Sequence, residues 1–265
     1  MIRTFAAITG IGLIVAILTG LYARFVEPKR LQTTTIDLAT GPDPLTIAFV
    51  TDTHVGPHFS ANDLAPTIRE LERIRPDIIL FGGDFISESP RFLRHVEPAL
   101  KRMTATARIG SWGIWGNHDI ANIRSVIEPV LERSDITMLR NEAAQLRDDL
   151  WVVGIDDVLL GTSDLKAAFA GVPAGARTIA LWHEPDLANR MVPYAPLLML
   201  SGHTHGGQAR LPIIGALATP SLGKRYVAGQ FDVQGMMLYV CRGIGMYRPP
   251  VRFHCRPELL VFTID

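Results

Sequence analysis

The sequence predicts an α/β domain behind a single N-terminal membrane helix, and three observations carry that expectation. A stretch without charge runs from Thr4 to Ala23, short continuous apolar runs then alternate with segments of helical spacing, and the polar residues suited to chemistry fall where the apolar runs stop. With 265 residues, 48% of them hydrophobic and 20% charged, the chain buries an ample core and is too apolar to be disordered.

Taken in order, the charge-free stretch between Arg3 and Arg24 comes first. As a helix it is roughly 30 Å long, the thickness of a bilayer's hydrocarbon core. An uncleaved single-pass anchor over residues 1–26 is the reading. A cleaved signal peptide is the rival, but its apolar region should be shorter, and Leu21 stands where a cut after Ala23 needs a small residue. Arg24, Lys29 and Arg30 follow the span, against Arg3 and the terminal amine before it. By a narrow margin this places the domain on the cytoplasmic face of the inner membrane and leaves the side open. Residues 27–44 read as a polar connector with a short edge strand, and the globular domain is expected over 45–265.

Leu45 to Val50 is a continuous apolar run, as in a strand buried on both faces, and ends in Thr-Asp-Thr-His. Asn62 to Arg75 has helical spacing and stops before Pro76. Ile78 to Phe81 is a second strand ending in Gly-Gly-Asp; a helix over about 91–103 leads to a third, Trp112 to Trp115, ending in Gly-Asn-His-Asp. A helix near 122–133, short strands near 136–140 and 151–155, and a helix near 163–170 follow. Thr178 to Trp182 ends in His-Glu-Pro-Asp, and Leu197 to Leu200 ends in Ser-Gly-His-Thr-His. The last strands expected are Met236 to Cys241 and Leu259 to Ile264. Ligands of open α/β sheets sit beyond the carboxyl ends of strands, so five such endings place one site at one sheet edge.

Charge and cysteine content exclude several classes. The net charge is zero, with 26 basic and 26 acidic residues, and falls to −3 once residues 1–30 are set aside. That leaves no basic footprint for a dedicated nucleic-acid binder, so no nucleic-acid partner is expected. Cys241 and Cys255 cannot make a disulfide framework and read as buried free thiols.

Five of the eight histidines, His54, His118, His183, His203 and His205, follow expected strands, in company with Asp52, Asp84, Asn117 and Asp119. Singly, each is more simply a cap or a surface residue; together they are too many coincidences. Mixed imidazole and carboxylate donors without cysteine suit Mn, Zn or Fe better than Ca or Mg. Seven donors, four of them histidines, exceed the needs of one ion and suffice for two divalent ions sharing a carboxylate.

The ordered series Asp52-x-His54, Gly83-Asp84, Gly116-Asn117-His118-Asp119, His183 and Gly202-His203-Thr204-His205 resembles the calcineurin-like metallophosphoesterases. The resemblance covers the chain from about Leu45 to Ile264. The Gly-His-Thr-His-Gly-Gly-Gln run at 202–208 resembles the bacterial branch with membrane-anchored or exported phosphodiesterases. It implies a four-layer sandwich of two mixed sheets flanked by helices. It also implies one metal on Asp52, His54 and His205, a second on Asn117, His183 and His203, and Asp84 bridging them. His118 would then face the leaving-group oxygen as acid or hydrogen-bond donor, with Asp119 orienting an imidazole or capping a helix. A Ser/Thr protein phosphatase is not implied, because Ser87 stands where that branch has a second Asp.

The implied activity is hydrolysis of a phosphodiester by a metal-bridging hydroxide. The narrower alternative is a pyrophosphohydrolase of a lipid-linked nucleotide such as UDP-diacylglucosamine, and a non-catalytic metal-bound scaffold is the remaining one. Expected partners are therefore a phosphoester, which the narrower reading makes lipid-linked, and the membrane; oligomeric state is not legible. Three further readings concern specificity. Arg210, Lys224, Arg225, Arg242, Arg248, Arg252 and Arg256 read as a solvated basic face, with binding of a second phosphate or an anionic headgroup as the alternative. Core packing is the plainer reading of Leu211 to Leu217 and of Met246-Tyr247 with Pro249-Pro250, with an acyl-chain pocket or bilayer contact as the other. Asp156-Asp157 reads as a solvated turn.

Overall fold

Alternation of side chains across strands that are apolar at nearly every position requires two covered faces, and the arrangement supplies them. The computed structural model describes residues 2–121 and 124–265. One six-stranded sheet runs in the order β1 (Gln32–Asp37), β14 (Glu258–Ile264), β2 (Leu45–Val50), β3 (Ile78–Phe81), β4 (Gly110–Gly113), β5 (Thr137–Met138). The other runs β12 (Gly229–Val233), β13 (Met236–Val240), β9 (Leu198–Ser201), β8 (Arg177–Leu181), β7 (Leu150–Gly154), β6 (Glu142–Arg147). Both are mixed: β2, β3, β4 and β5 are mutually parallel with β14 antiparallel to β2, and β13, β9, β8 and β7 are parallel with antiparallel edges β12 and β6.

Odd and even positions of these strands serve different layers. Ile47, Phe49, Ile78 and Leu80 meet Val152, Ile179, Leu181, Leu198 and Leu200 in a slab between the sheets. Their neighbours Ala48, Val50, Ile79 and Phe81 face α2 (Ala65–Ile74), α3 (Leu93–Thr104) and α5 (Arg124–Glu132). On the far side Ala180, Met199 and Leu238 pack with Ala168 of α6 (Leu165–Phe169) and with Ala188 and Met191 of α7 (Ala188–Met191). The result is four layers, helix, sheet, sheet, helix, as expected.

Several expectations need correction. The edge strand expected within 27–44 is present as β1, and only its place needs correcting: it pairs in parallel with the last strand, Gln32 opposite Glu258 through Asp37 opposite Thr263, and so belongs to the sheet rather than to a connector. A β-branched edge strand half open to solvent lacks the apolar run that marks a buried one. The third strand starts at Gly110, two residues before its first apolar residue, because Ile78 to Phe81 dictates the register. A helical turn, α4 (Asn117–Ala121), precedes α5, while residues 122 and 123 of the expected helix lie outside the described residues. Strands β6 and β12 and the two-stranded hairpin β10 (Arg210–Leu211) with β11 (Gly215–Ala216) were not expected. The two cysteines are free and buried.

The N-terminal helix α1 (Ile2–Leu21) leads through a wider π turn, Tyr22–Val26, and a tighter 3-10 turn, Glu27–Lys29. Residues Gly10–Lys29 are long and apolar enough to cross a membrane, and little of that stretch is covered by the rest of the protein. Its exit is tied to the domain: Arg252 N–H donates to the Ala23 carbonyl at 2.8 Å and Cys255 N–H to Glu27 Oε1 at 2.5 Å.

Candidate metal centre

Residues leaving the carboxyl ends of β2, β3 and β4 meet those leaving β8 and β9. Asp52, His54, Asp84, His203 and His205 all hold positive φ, between 42° and 68°. Non-glycine residues rarely adopt this region, and clustered outliers of this kind mark sites where backbone strain aims side chains. Glycines allow the approach. A Cβ on Gly116 would lie 2.2 Å from Asp84 Oδ1, and one on Gly202 would lie 2.2 Å from Asp52 Oδ2.

Asp84 is central and buried. Its Oδ2 stands 3.2 Å from His54 Nε2 and 3.2 Å from His183 Nε2, while Oδ1 accepts the His118 N–H at 2.9 Å. Asp52 Oδ1 faces His54 Nε2 at 3.8 Å and His205 Nε2 at 3.5 Å. Its Oδ2 accepts the Thr51 hydroxyl at 2.7 Å, and the His203 N–H donates to the carboxylate at 3.1 Å. Donor atoms of Asp52, His54 and His205 lie within 4.8 Å of one another, as do those of Asp52, Asp84 and His183 and those of His54, Asp84 and His118.

The imidazoles are held from behind. His183 Nδ1 lies 2.7 Å from the Gly82 carbonyl, which only an Nδ1–H can satisfy, so the lone pair is on Nε2 facing Asp84. His203 Nε2 lies 2.7 Å from the Ser221 carbonyl, which leaves the lone pair on Nδ1, 3.1 Å from Asn117 Oδ1. His54 Nδ1 is 2.9 Å from Ser87 Oγ. The buried atoms His54 Nε2, His183 Nε2 and His205 Nδ1 have no hydrogen-bond partner among the described residues. Buried lone pairs facing carboxylate and amide oxygens are mutually repulsive unless cations lie between them, so the donor set fits divalent metals.

His118 is half-buried, edge-on to His54 at 4.9 Å between ring centroids and 4.4 Å from the Tyr247 ring. Burial holds its imidazole below the ordinary histidine range. Of the two roles expected of Asp119, its hydrogen bonds among the described residues are those of a cap, with backbone N–H groups and no imidazole as partners. It accepts the N–H groups of Asp84 at 2.7 Å, Phe85 at 2.9 Å and Gly116 at 3.2 Å. The last contact is the back-reaching half of a helix cap, and the first two clamp the turn that presents Asp84. Burial, then the adjacent Asp84 charge, push Asp119 up to about 7.

The C-terminal basic residues divide. Arg252 is fully buried and donates to the carbonyls of Gly245, Arg242, Gly243 and Cys255, so it is no phosphate ligand. It fastens the turn beneath Asp52, where Gly245 N–H donates to the Asp52 carbonyl at 2.7 Å. Arg242 pairs with Glu258 at 3.0 Å, and Arg248 pairs with Glu88 at 2.8 Å. Asp156 and Asp157 are buried rather than solvated; Asp156 takes Arg124 at 2.6 Å and Arg140 at 3.1 Å. Sequence reading missed these partners and the carbonyls of Gly82 and Ser221, because long-range pairing to backbone has no local signature.

A cleft of about 410 Å³ opens over the donors, bounded by Thr219, Pro220 and Leu217 on one side and Tyr247, Pro249 and Val251 on the other. Sandwiches that converge imidazole and carboxylate donors from two sheets onto one such cleft define a class of dinuclear metal hydrolases. Residues 45–207 match the family model described as calcineurin-like phosphoesterase, and the chain belongs to that family. The protein is thus a metal-dependent phosphoester hydrolase of a family that binds a dinuclear divalent centre.

Its relatives extend over nearly the whole chain. An uncharacterized metallophosphoesterase of Bacillus subtilis, YkuE, is 34% identical, over 92% of this chain and 88% of its own. The phosphodiesterase YaeI of Escherichia coli is 29% identical, over 92% of each. The UDP-2,3-diacylglucosamine pyrophosphatase LpxG of Chlamydia trachomatis is 25% identical, again over 92% of each.

Proposed function

We propose that this protein is a membrane-anchored phosphodiesterase in which Asp52, His54 and His205 hold one divalent metal, Asn117, His183 and His203 hold a second, and Asp84 bridges them. The observation that carries the reading is Asp84 Oδ2, at 3.2 Å from both His54 Nε2 and His183 Nε2, the placement a carboxylate shared by two ions would need. Two divalent ions, when bound, supply a water deprotonated at neutral pH and neutralise the charge that builds on the phosphoryl oxygens.

The chain's own residues do the rest. Asp52 and Asp84 offset part of the charge of two cations, and the neutral Asn117 leaves an excess on its side for an anionic ester. His118 faces the same space from the start of α4 and donates a hydrogen bond to the departing oxygen. Because burial keeps this imidazole neutral at neutral pH, it acts as an N–H donor rather than as a full cation. Asp119 positions Asp84 and touches no substrate.

The cleft walls favour a diester. Among the described residues lining it, Arg248 is the one arginine or lysine, and it is already engaged by Glu88. A terminal phosphate dianion therefore finds no spare cation, whereas the apolar wall suits a carbon substituent on each side of phosphorus. The second reading, cleavage of a pyrophosphate in a lipid-linked nucleotide, is supported by that wall, by the N-terminal apolar helix and by the relative named for such a substrate.

The test strips the full chain with chelator and reloads Mn, Zn, Fe or Mg in turn. Rates are compared on bis-p-nitrophenyl phosphate, p-nitrophenyl phosphate and a UDP-linked diacyl lipid, with Asp84→Asn as the blank. Metal-dependent turnover of the diester above the monoester is expected. Release of UMP from the lipid as the fastest reaction selects the second reading, and equal rates in the blank overturn both.

A further inference from the structure

The segment Leu211 to Leu217 contradicts the expectation of core packing. Leu211 is 37% exposed, Ile213 107%, Ile214 71% and Leu217 56%. Ile213 also holds φ 73°, a backbone region that a β-branched residue rarely enters. A soluble surface gains nothing from strained isoleucine aimed at water, and exposed apolar patches of this kind mark interaction surfaces.

Its neighbours identify what it meets. The hairpin base and the exit of α1 are joined through one short loop, residues 252–256. On one side of that loop Arg252 N–H reaches the Ala23 carbonyl and Cys255 N–H reaches Glu27. On the other, Phe253 N–H donates to the Gln208 carbonyl at 2.9 Å, and Arg210 N–H donates to the Phe253 carbonyl at 2.8 Å. His254 accordingly lines a hollow with Tyr22 and Glu27 and another with Leu211 and Ile213. The apolar tip thus stands beside the point where the N-terminal helix leaves the domain. Exposed Phe25 and Val26 extend the apolar surface there, and Lys29, Arg30 and Arg256 are exposed around it. Apolar residues ringed by lysine and arginine have the chemistry of an element lying in the interface of an anionic bilayer.

We infer that hairpin β10–β11, with Leu217, is a membrane-docking element. Its tip enters the acyl boundary of the bilayer beside α1, and the basic ring meets anionic phosphate headgroups. Leu217 and Ala218, which follow the hairpin, also line the metal cleft, so docking holds one edge of that cleft at the lipid surface. An amphiphilic phosphoester would then reach the metals without leaving the membrane. The inference rests on α1 being the anchor.

The test uses the full chain in vesicles of phosphatidylcholine and phosphatidylglycerol. Ile213→Cys carries an NBD fluorophore; Asp148→Cys, in the exposed turn between β6 and β7, is the control, since Cys241 and Cys255 are buried. Doxyl-labelled lipid is expected to quench the probe at 213 by about twofold or more and to leave the probe at 148 unaffected. The double variant Ile213→Asp with Ile214→Asp should keep its rate on soluble bis-p-nitrophenyl phosphate, which shows that the fold and the metal site are intact. Protein that floats with the vesicles but leaves the 213 probe in water overturns the hairpin inference and spares the anchor. Protein that does not float overturns both. A blue-shifted probe untouched by doxyl lipid overturns the inference in favour of contact between copies.

Discussion

Around Asp84 the site divides into two halves that are held differently. On one side Asp52, His54 and His205 are buried, with the His54 and His205 rings 4.8 Å apart, and His54 is steadied by a side chain, Ser87. On the other, His183 and His203 are steadied by backbone carbonyls, Gly82 across the sheets and Ser221 from a later loop, and Asn117 is neutral and half-buried at the cleft. The first half carries a carboxylate of its own and the second carries none. In the proposed two-metal centre the difference teaches where an anionic substrate would belong: excess positive charge would accumulate at the half that lacks a carboxylate of its own, while Asp52 would offset the charge of the ion in the other.

Breaking what the halves share should have the largest effect. Asp84→Asn is expected to lower kcat/KM by about a thousandfold or more and to weaken both metals, read by rate and by metal content after gel filtration. Full metal content with a normal rate would dissolve the two-half description. His118→Ala comes next, with kcat down about a hundredfold and both metals retained. Because a neutral donor loses nothing as pH rises, the deficit should stay constant from about pH 7 to 9. A deficit that fades with rising pH would instead mean that the protonated imidazole acts.

Arg252→Met should act on the half that contains Asp52, through its floor. Freeing buried carbonyls at Gly243 and Gly245 is expected to cost about 3 kcal/mol, seen as a lower unfolding midpoint in denaturant. Ser87→Ala is a smaller perturbation of the same half: one metal should bind about tenfold more weakly while the other is unchanged, as titration calorimetry would resolve. Uniform weakening of both would show that the halves are not separable. Asn117→Asp tests the half that lacks a carboxylate. It should hold metal at least as well and raise KM by about tenfold, roughly 1.4 kcal/mol, by cancelling charge that attracts the ester.

The candidate residues were legible because each of them ends a strand. An apolar run stops where the chain leaves the sheet, and donors placed there share an edge whatever the details of packing. Asp119 was found by the same rule with two roles left open, since a carboxylate that clamps three backbone N–H groups looks identical in sequence to one that orients an imidazole. Tyr247 and Arg252 lie beyond the last histidine turn and are drawn to the site only when the loop after β13 folds under Asp52.

What the sequence by itself determined is therefore the α/β class, most central strands, the apolar N-terminal helix and the set of metal-type donors. All of these are written in local periodicity and composition, which depend on which neighbours along the chain are apolar. Tertiary structure alone decided the rest. The partner of the expected edge strand, Gln32–Asp37, was settled because Glu258–Ile264 offered it an edge. Arg252 became a buried brace because unpaired carbonyls at 242–245 required a donor. Leu211 to Leu217 stayed outside the core because the hairpin projects from the domain, and hydrophobicity states a cost of meeting water without stating which surface will relieve it.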